Sequence, residues 1–313
     1  MLNPILTKFG VKAEHVKEVN ITNISSSKDR TLLYDGDGAC YACTAGVAKI
    51  ETALRRIEVD ILEKMQLSRC SKARVHLTPR GCFKNGRHLL KTVKPYQENR
   101  SSNNKPPLLE VLRSQMARYF ENHKDITVIA HHDIEADDGL MIDAYSLANT
   151  CMISPDKDLR INPFESYDLD TGNFESLLVD RYGWIDRKHW LTPSLKPHSK
   201  VIGKGTKFFL AQLLMGDTAD NVKGLISLQG KPIGEAGTHK LLDPIKSESE
   251  AVNVIIDAYR EIRQNVVAEG EAMWLLRNYG DNVIKYFLEC NLTPLNKEFV
   301  LECAEDYKHE QYS

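Results

Sequence analysis

With 313 residues, 42% of them hydrophobic and 27% charged, the chain can bury a sizeable core, which excludes disorder as its default state. No stretch reaches the roughly 18 to 20 apolar residues of a membrane helix, and the opening MLNPILTKFG lacks the sections of a secretory signal; a cytoplasmic protein without a membrane partner is expected. The net charge of −2 conceals a segregation: eleven basic residues stand against one acidic residue, Glu98, between Lys64 and Lys105, about +10 there and −12 elsewhere, which points to a polyanion such as nucleic acid.

Residues 1–30 carry no readable pattern. A strand is expected at 31–34, where TLLYDGDGACY ends the apolar run on Asp35, with Gly36 permitting a sharp turn and Asp37 following. A helix is expected over about 45–65. Seven cysteines without regular spacing fit reduced thiols, and the lone CxxC of Cys40 and Cys43 reads as two small residues in a helix rather than a zinc site. Next come a strand at 74–77, polar SSNNKPP at 101–107 as an exposed loop, a helix at 108–119 and a strand at 126–130. In HHDIEADDGLMIDAY, Glu135, Asp137 and Asp138 crowd the entry of a helix over 138–148. Acidic caps explain one or two of these carboxylates, but less well three.

A strand at 150–154 runs into Asp156, Lys157 and Asp158. Beyond residue 200 the pattern turns helical, at 207–215, 237–242, 251–266 and 272–288, with an exposed loop at 227–237. In LLMGDTADNVKG, Asp217 and Asp220 are three apart and would share one face of a helical turn. Residues 290–313 carry no signal. Strands alternating with helices predict an α/β fold with a mostly parallel central sheet flanked by helices. Ligands of such sheets bind beyond the carboxyl ends of the strands, where Asp35, Glu135 and Asp156 would converge.

Eight gathered carboxylates repel one another unless cations neutralise them. Without interleaved Cys or His the donors are all oxygen, which selects Mg²⁺ or Mn²⁺. Two such ions suit phosphodiester hydrolysis, and the basic stretch would contact phosphate.

Five motifs in order, YDG at 34–36, YQENR at 96–100, EADD at 135–138, DKD at 156–158 and GDTADN at 216–221, resemble those of the flap endonuclease and 5′ to 3′ exonuclease family, over about residues 31–245. The resemblance implies a PIN-like nuclease domain at 1–200 with a helical arch at about 80–120, and a helical DNA-binding region at 201–313 with a helix-hairpin-helix-like element. It implies metal binding by Asp35, Glu135, Asp137, Asp138, Asp156, Asp158, Asp217 and Asp220. Tyr96, Arg100 and Lys84 would stand at the scissile phosphate, with Arg87, Lys91, Lys94 and Lys105 on DNA; Phe83 and Lys84 are similar to the family's Phe-Arg. Gly224, Gly234 and Gly237 would hold duplex DNA through backbone amides, with a K⁺ ion in many relatives. The implied activity is removal of nucleotides from DNA 5′ ends, flaps or nicks, and of RNA·DNA hybrids, by a monomer in phage or bacterial replication, recombination or host-DNA degradation, in the host cytoplasm if viral.

Three departures stand out. Thr78 sits where the family places another Asp, Gln97 replaces a family lysine, and ISLQGKP lengthens the glycine element. The rival enzyme is a haloacid-dehalogenase-like phosphatase with Asp35 as nucleophile and Asp37 as acid, whose late Gly-Asp should follow a strand. A DNA-binding relative without catalysis is the third reading, supported by Thr78 and Gln97.

Overall fold

The computed structural model describes residues 27–99, 105–177, 180–192 and 194–310. Its centre is strand β1 (Ser27–Asp35) in a six-stranded sheet ordered β3-β2-β1-β4-β5-β6, with β2 at Cys70–Leu77, β3 at Ile126–Ala130, β4 at Thr150–Ile153, β5 at Ser166–Asp168 and β6 at Asn173–Glu175. The pairs from β3 through β5 are parallel, and β6 is antiparallel to β5. The mostly parallel sheet expected from the alternating pattern is therefore present. Helices cover both faces, so TLLY is apolar without interruption. Leu32 and Tyr34 enter a core with Ile57, Ile61 and Met116, while Leu33 points the other way to Leu140, Met152 and Phe208. This second core crosses residue 200 and continues to Trp274 and Val300.

Between β1 and β4 the strand order reverses direction, and a crevice opens there beyond their carboxyl ends. Helix α1 (Gly36–Thr44) starts directly after Asp35, and α2 (Ile50–Leu67) follows a break that holds Gly46 at φ 66°. The expected helix over 45–65 is corrected accordingly: Asp35 caps α1 by accepting the Asp37 N–H at 3.0 Å, so helix begins earlier than the apolar periodicity indicates. Cys40 and Cys43 are buried on α1, as helix residues. Helix α3 spans Leu109–Tyr119 and α4 spans Ala136–Ser146.

Helix α4 is pinned to β2 and β3 by a chain of polar contacts. Asp143 accepts from Arg74 Nε at 2.5 Å and lies 3.0 Å from His76 Nε2. His76 Nδ1 is 2.9 Å from His131 Nε2, with rings 12° from parallel and centroids 5.1 Å apart. Near-parallel rings reach that combination only edge to edge, as an N–H···N bond. A Cβ at Gly139 would stand 2.2 Å from His131 Nε2, so only glycine admits the pair. Burial, then His76, pushes the His131 imidazole down to about 4.

The stretch 166–204 holds strands that the sequence pattern did not reveal: β5, β6 and an antiparallel ribbon of β7 (Trp184–Leu191) and β8 (Pro197–Lys204). Short strands and a mostly exposed, charged ribbon lack the apolar alternation that marks a half-buried strand. The remaining helices are α5 (Thr206–Met215), α6 (Glu235–Leu242), α7 (Glu248–Glu261), α8 (Val266–Met273), α9 (Val283–Glu289) and α10 (Pro294–Glu305). The expected helix over 272–288 is thus two helices, and α10 lies in the segment that carried no signal. Among the described residues, no helix is long and apolar enough to cross a membrane.

Lys204 is buried on β8, donates to Ser166 Oγ at 2.7 Å, and is pushed down to about 8 by burial. Its folded pKa lies below the unfolded value, so its burial penalty is complete below pH 8 and fades as pH rises toward 10.5. Stability is expected to gain about 2 kcal/mol between pH 7 and 9.5 from this group. Urea denaturation at the two pH values checks it; a Lys204→Met variant with the same pH slope as the parent would rule the assignment out.

Candidate active site

The crevice between β1 and β4 opens into a cleft of about 1010 Å³. Asp35 closes β1; its Oδ2 accepts Ser154 Oγ at 2.9 Å and its Oδ1 accepts the Asp37 amide. Gly36 is obligatory behind it, because a Cβ would stand within 2.7–2.9 Å of Leu77, His76 O and Val75. Asp156 follows β4, its amide bonded to Ser154 Oγ at 2.9 Å, and its Oδ1 accepts the Asp158 N–H at 2.9 Å. Asp137 lies in the first turn of α4. Among the described residues no ion pair reaches Asp35, Asp137 or Asp156, and all three line the cleft.

A second group consists of Asp158, Asp217 and Asp220, with carboxylate oxygens all within 4.8 Å of one another. Asp217 sits in the loop after α5, where its amide and carbonyl pair with Val222 and its Oδ1 accepts the Ala219 N–H at 2.8 Å. Here a cation is built in: the Lys157 ammonium bonds Asp158 Oδ1 at 2.8 Å and Asp217 Oδ2. Gln212 of α5 donates to the same Asp158 oxygen at 2.5 Å.

The electrostatics separate the two groups. Burial, then mutual repulsion, raises Asp137, with Asp35 and Asp156 the largest charged contributors, and burial likewise heads the causes that raise Asp35 and Asp156. Burial pushes Asp158 up to about 6. Asp217 is also buried, but Lys157 outweighs that and holds its carboxyl below the usual range.

No protein-family profile matches this sequence, and no curated protein does. Among solved structures, the bacteriophage T5 D15 protein co-crystallised with metal ions superposes with a TM-score of 0.50 at 13% identity, over 88% of this chain and 98% of that one. The chain shares the overall fold of that protein. Two further structures cover 88% of this chain: the T5 5′-exonuclease with bound zinc, at 14% identity, 99% coverage and TM-score 0.46, and a T5 D15 flap endonuclease complex with DNA and metal ions, at 13%, 98% and 0.46.

Within this α/β fold, the root of the basic segment meets the acidic wall. Lys84, Asn85 and Gly86 all have positive φ, a turn held by Phe83 N–H on His132 O at 2.7 Å and Asn85 N–H on Asp133 O at 2.6 Å. It aims Lys84 Nζ at Glu135 Oε1, 2.9 Å away, and at Gln97 Oε1, 2.5 Å away. Tyr96 OH donates to Glu135 Oε2 at 2.8 Å. Although burial opposes it, Arg87 and Lys84 hold the Glu135 carboxyl below its usual range. Gln97 Nε2 donates to Asp220 Oδ1 at 2.9 Å, and Glu269, almost fully buried, accepts the Val93 and Gly224 amides at 2.7 and 2.9 Å.

Two expectations are corrected. Arg87, expected on DNA, is 2% exposed and donates twice to Asp138 at 2.7 Å, to Glu135 Oε2 at 2.9 Å and to Trp274 O at 2.7 Å. Asp138, expected on metal, has no exposed surface and spends both oxygens on Arg87, with further bonds from the Glu135 and Leu276 amides. A buried guanidinium needs a buried carboxylate, and the pair is structural.

Lys105 lines the cleft, whereas Lys91 pairs with Asp306 away from it and Lys94 is exposed outside it. Arg100 lies outside the described residues. Gly224 has φ 66° and packs against Gly216, Gly234 caps α6 and Gly237 lies in its first turn, so these glycines belong to the connection between α5 and α6. Thr78, where the resemblance expects a carboxylate, leaves no gap: its amide bonds Asp37, its Oγ1 accepts the Ala136 N–H at 2.8 Å, and Arg113 pairs with Asp37 at 3.0 Å. Sequence reasoning overlooked Arg113, Lys157 and Gln212; Lys157 was visible inside DKD, the other two only through the fold.

Proposed function

We propose that the chain is a metal-dependent nuclease that removes nucleotides from DNA 5′ ends and cleaves 5′ flaps. The observation that carries this reading is the cation-free group of Asp35, Asp137 and Asp156 on the floor of a cleft whose wall presents Lys84, Arg113 and Tyr96. An all-oxygen, mutually repelling donor set fits Mg²⁺ or Mn²⁺, and the T5 D15 protein of the same fold was crystallised with metal ions. When bound, such ions supply an activated water and stabilise a phosphodiester's leaving oxygen. The chain's own residues do the rest. Ser154 orients Asp35 by donating to its Oδ2, and Lys84 offers an ammonium to a phosphate at the cleft wall. Tyr96 offers a stacking face for an unpaired base, and Gly234 and Gly237 at the start of α6 offer backbone amides to a duplex, with K⁺ as an added ligand, whereas the Gly224 amide is already spent on Glu269. RNA·DNA hybrids, a monomeric state and a replication or host-DNA-degrading role belong to the same reading.

Incubating 5′- and 3′-labelled flap and nicked duplexes with Mg²⁺, Mn²⁺ or EDTA tests it. Metal-dependent products with 3′-hydroxyl ends are expected; cleavage that survives EDTA, or none with any divalent ion, sinks the proposal. The phosphatase reading expects p-nitrophenyl phosphate turnover instead, and its late Gly-Asp follows helix α5 here rather than a strand.

A further inference from the structure

We propose that Lys157 is a resident counter-cation of the second carboxylate group, so that the protein holds one divalent ion tightly at Asp35, Asp137 and Asp156 and admits a second only by displacing the Lys157 ammonium. This rests on the metal-dependent reading above.

The two groups differ in one respect that chemistry makes decisive. The first has three carboxylates and no ion-pair partner among the described residues. The second also has three carboxylates, with one oxygen of each within 4.8 Å of the others, but the Lys157 ammonium joins Asp158 and Asp217, which face each other from different parts of the chain. Lys157 lies just before the turn of helix at Asp158–Ile161, and its charge reaches its own neighbour Asp158 and Asp217 in the loop after α5. Neutral donors bond these carboxylates too. Asp158 Oδ1 accepts Gln212 Nε2, Asp217 Oδ1 accepts the Ala219 amide and Asp220 Oδ1 accepts Gln97 Nε2. An incoming divalent ion must break two charge-assisted bonds of a half-buried ammonium before it gains its own ligands. At the first group the bonds to Asp35 and Asp156 come from neutral donors, Ser154 and backbone amides, and no ammonium has to leave.

Displacement of a bonded ammonium weakens an ion's binding by roughly tenfold or more, the scale of one or two partly screened charge pairs. The test is Mn²⁺ binding by the full chain without DNA, read as free Mn²⁺ by electron paramagnetic resonance. The parent is expected to take up one ion, with a second appearing only at about tenfold higher concentration or more. Lys157→Met should bring the second ion in at least tenfold more tightly, while Lys157→Arg, which keeps the charge, should leave the parent's pattern. Two equivalent ions in the parent, or a second affinity unchanged in Lys157→Met, would overturn the proposal and leave the nuclease reading standing. No Mn²⁺ bound by the parent at all removes the metal reading itself, so the two failures are distinguishable.

Discussion

Asp137→Asn is expected to lower metal-dependent DNA cleavage by about a thousandfold or more, the several kcal/mol that a bound ion contributes to charge stabilisation in a phosphodiester transition state. The same substitution should raise the melting temperature of the metal-free protein by a few degrees. Asp137 is held above its usual carboxylate range first by burial and then by Asp35 and Asp156, so at neutral pH its charge opposes folding. Removing that charge relieves the penalty, and for a chain of this size each kcal/mol relieved moves the midpoint by about 2 to 4 °C. Steady-state cleavage and differential scanning fluorimetry in EDTA measure the two halves. Lost cleavage with a lower melting temperature would make Asp137 a structural residue rather than a ligand.

Arg87→Met should have the opposite profile, with stability as the first casualty. The guanidinium is shared by Asp138, Glu135 and the Trp274 carbonyl, and without it Asp138 keeps a buried charge answered only by the Glu135 and Leu276 amides. Breaking one partner of such a pair costs about 3 to 5 kcal/mol. Replacing both, as Arg87→Met with Asp138→Leu, should recover more than half of that loss, because a matched apolar pair leaves no uncompensated charge. Urea midpoints for the parent, the single and the double variants decide the matter. A single variant within about 1 kcal/mol of the parent would mean that the clamp contributes little.

What could be read from the sequence follows from how far each signal travels along the chain. Asp35 and Asp156 were legible because a β-strand announces its own carboxyl end locally, and a parallel sheet gathers those ends on one edge. The first turn of α4 was legible through EADD, yet sequence could not tell Asp137 from Asp138, since neighbouring positions on a helix face different ways and only the arrival of Arg87 separates them. Arg87 itself looked like one more charge in a basic run. Its partner carbonyl lies 187 residues away. The ribbon of β7 and β8 stayed hidden for another reason: its strands are mostly exposed, so burial left no imprint on their composition. The start of α1 was masked by Asp-Gly-Asp-Gly, which reads as a turn until the cap on Asp35 is seen.

The wall of the cleft is sewn by bonds between residues far apart in sequence: Arg87 with Trp274, Val93 with Glu269, Gln97 with Asp220. Closing such long loops is entropically costly, so these bonds are expected to form after the local helices and the β1–β2 pairing. The loss expected for Arg87→Met should then surface mainly as faster unfolding, with the folding rate nearly unchanged. A growing polypeptide would expose its acidic edge well before the lysine-bearing wall could shut against it, and the complete cleft would arrive with the last helices.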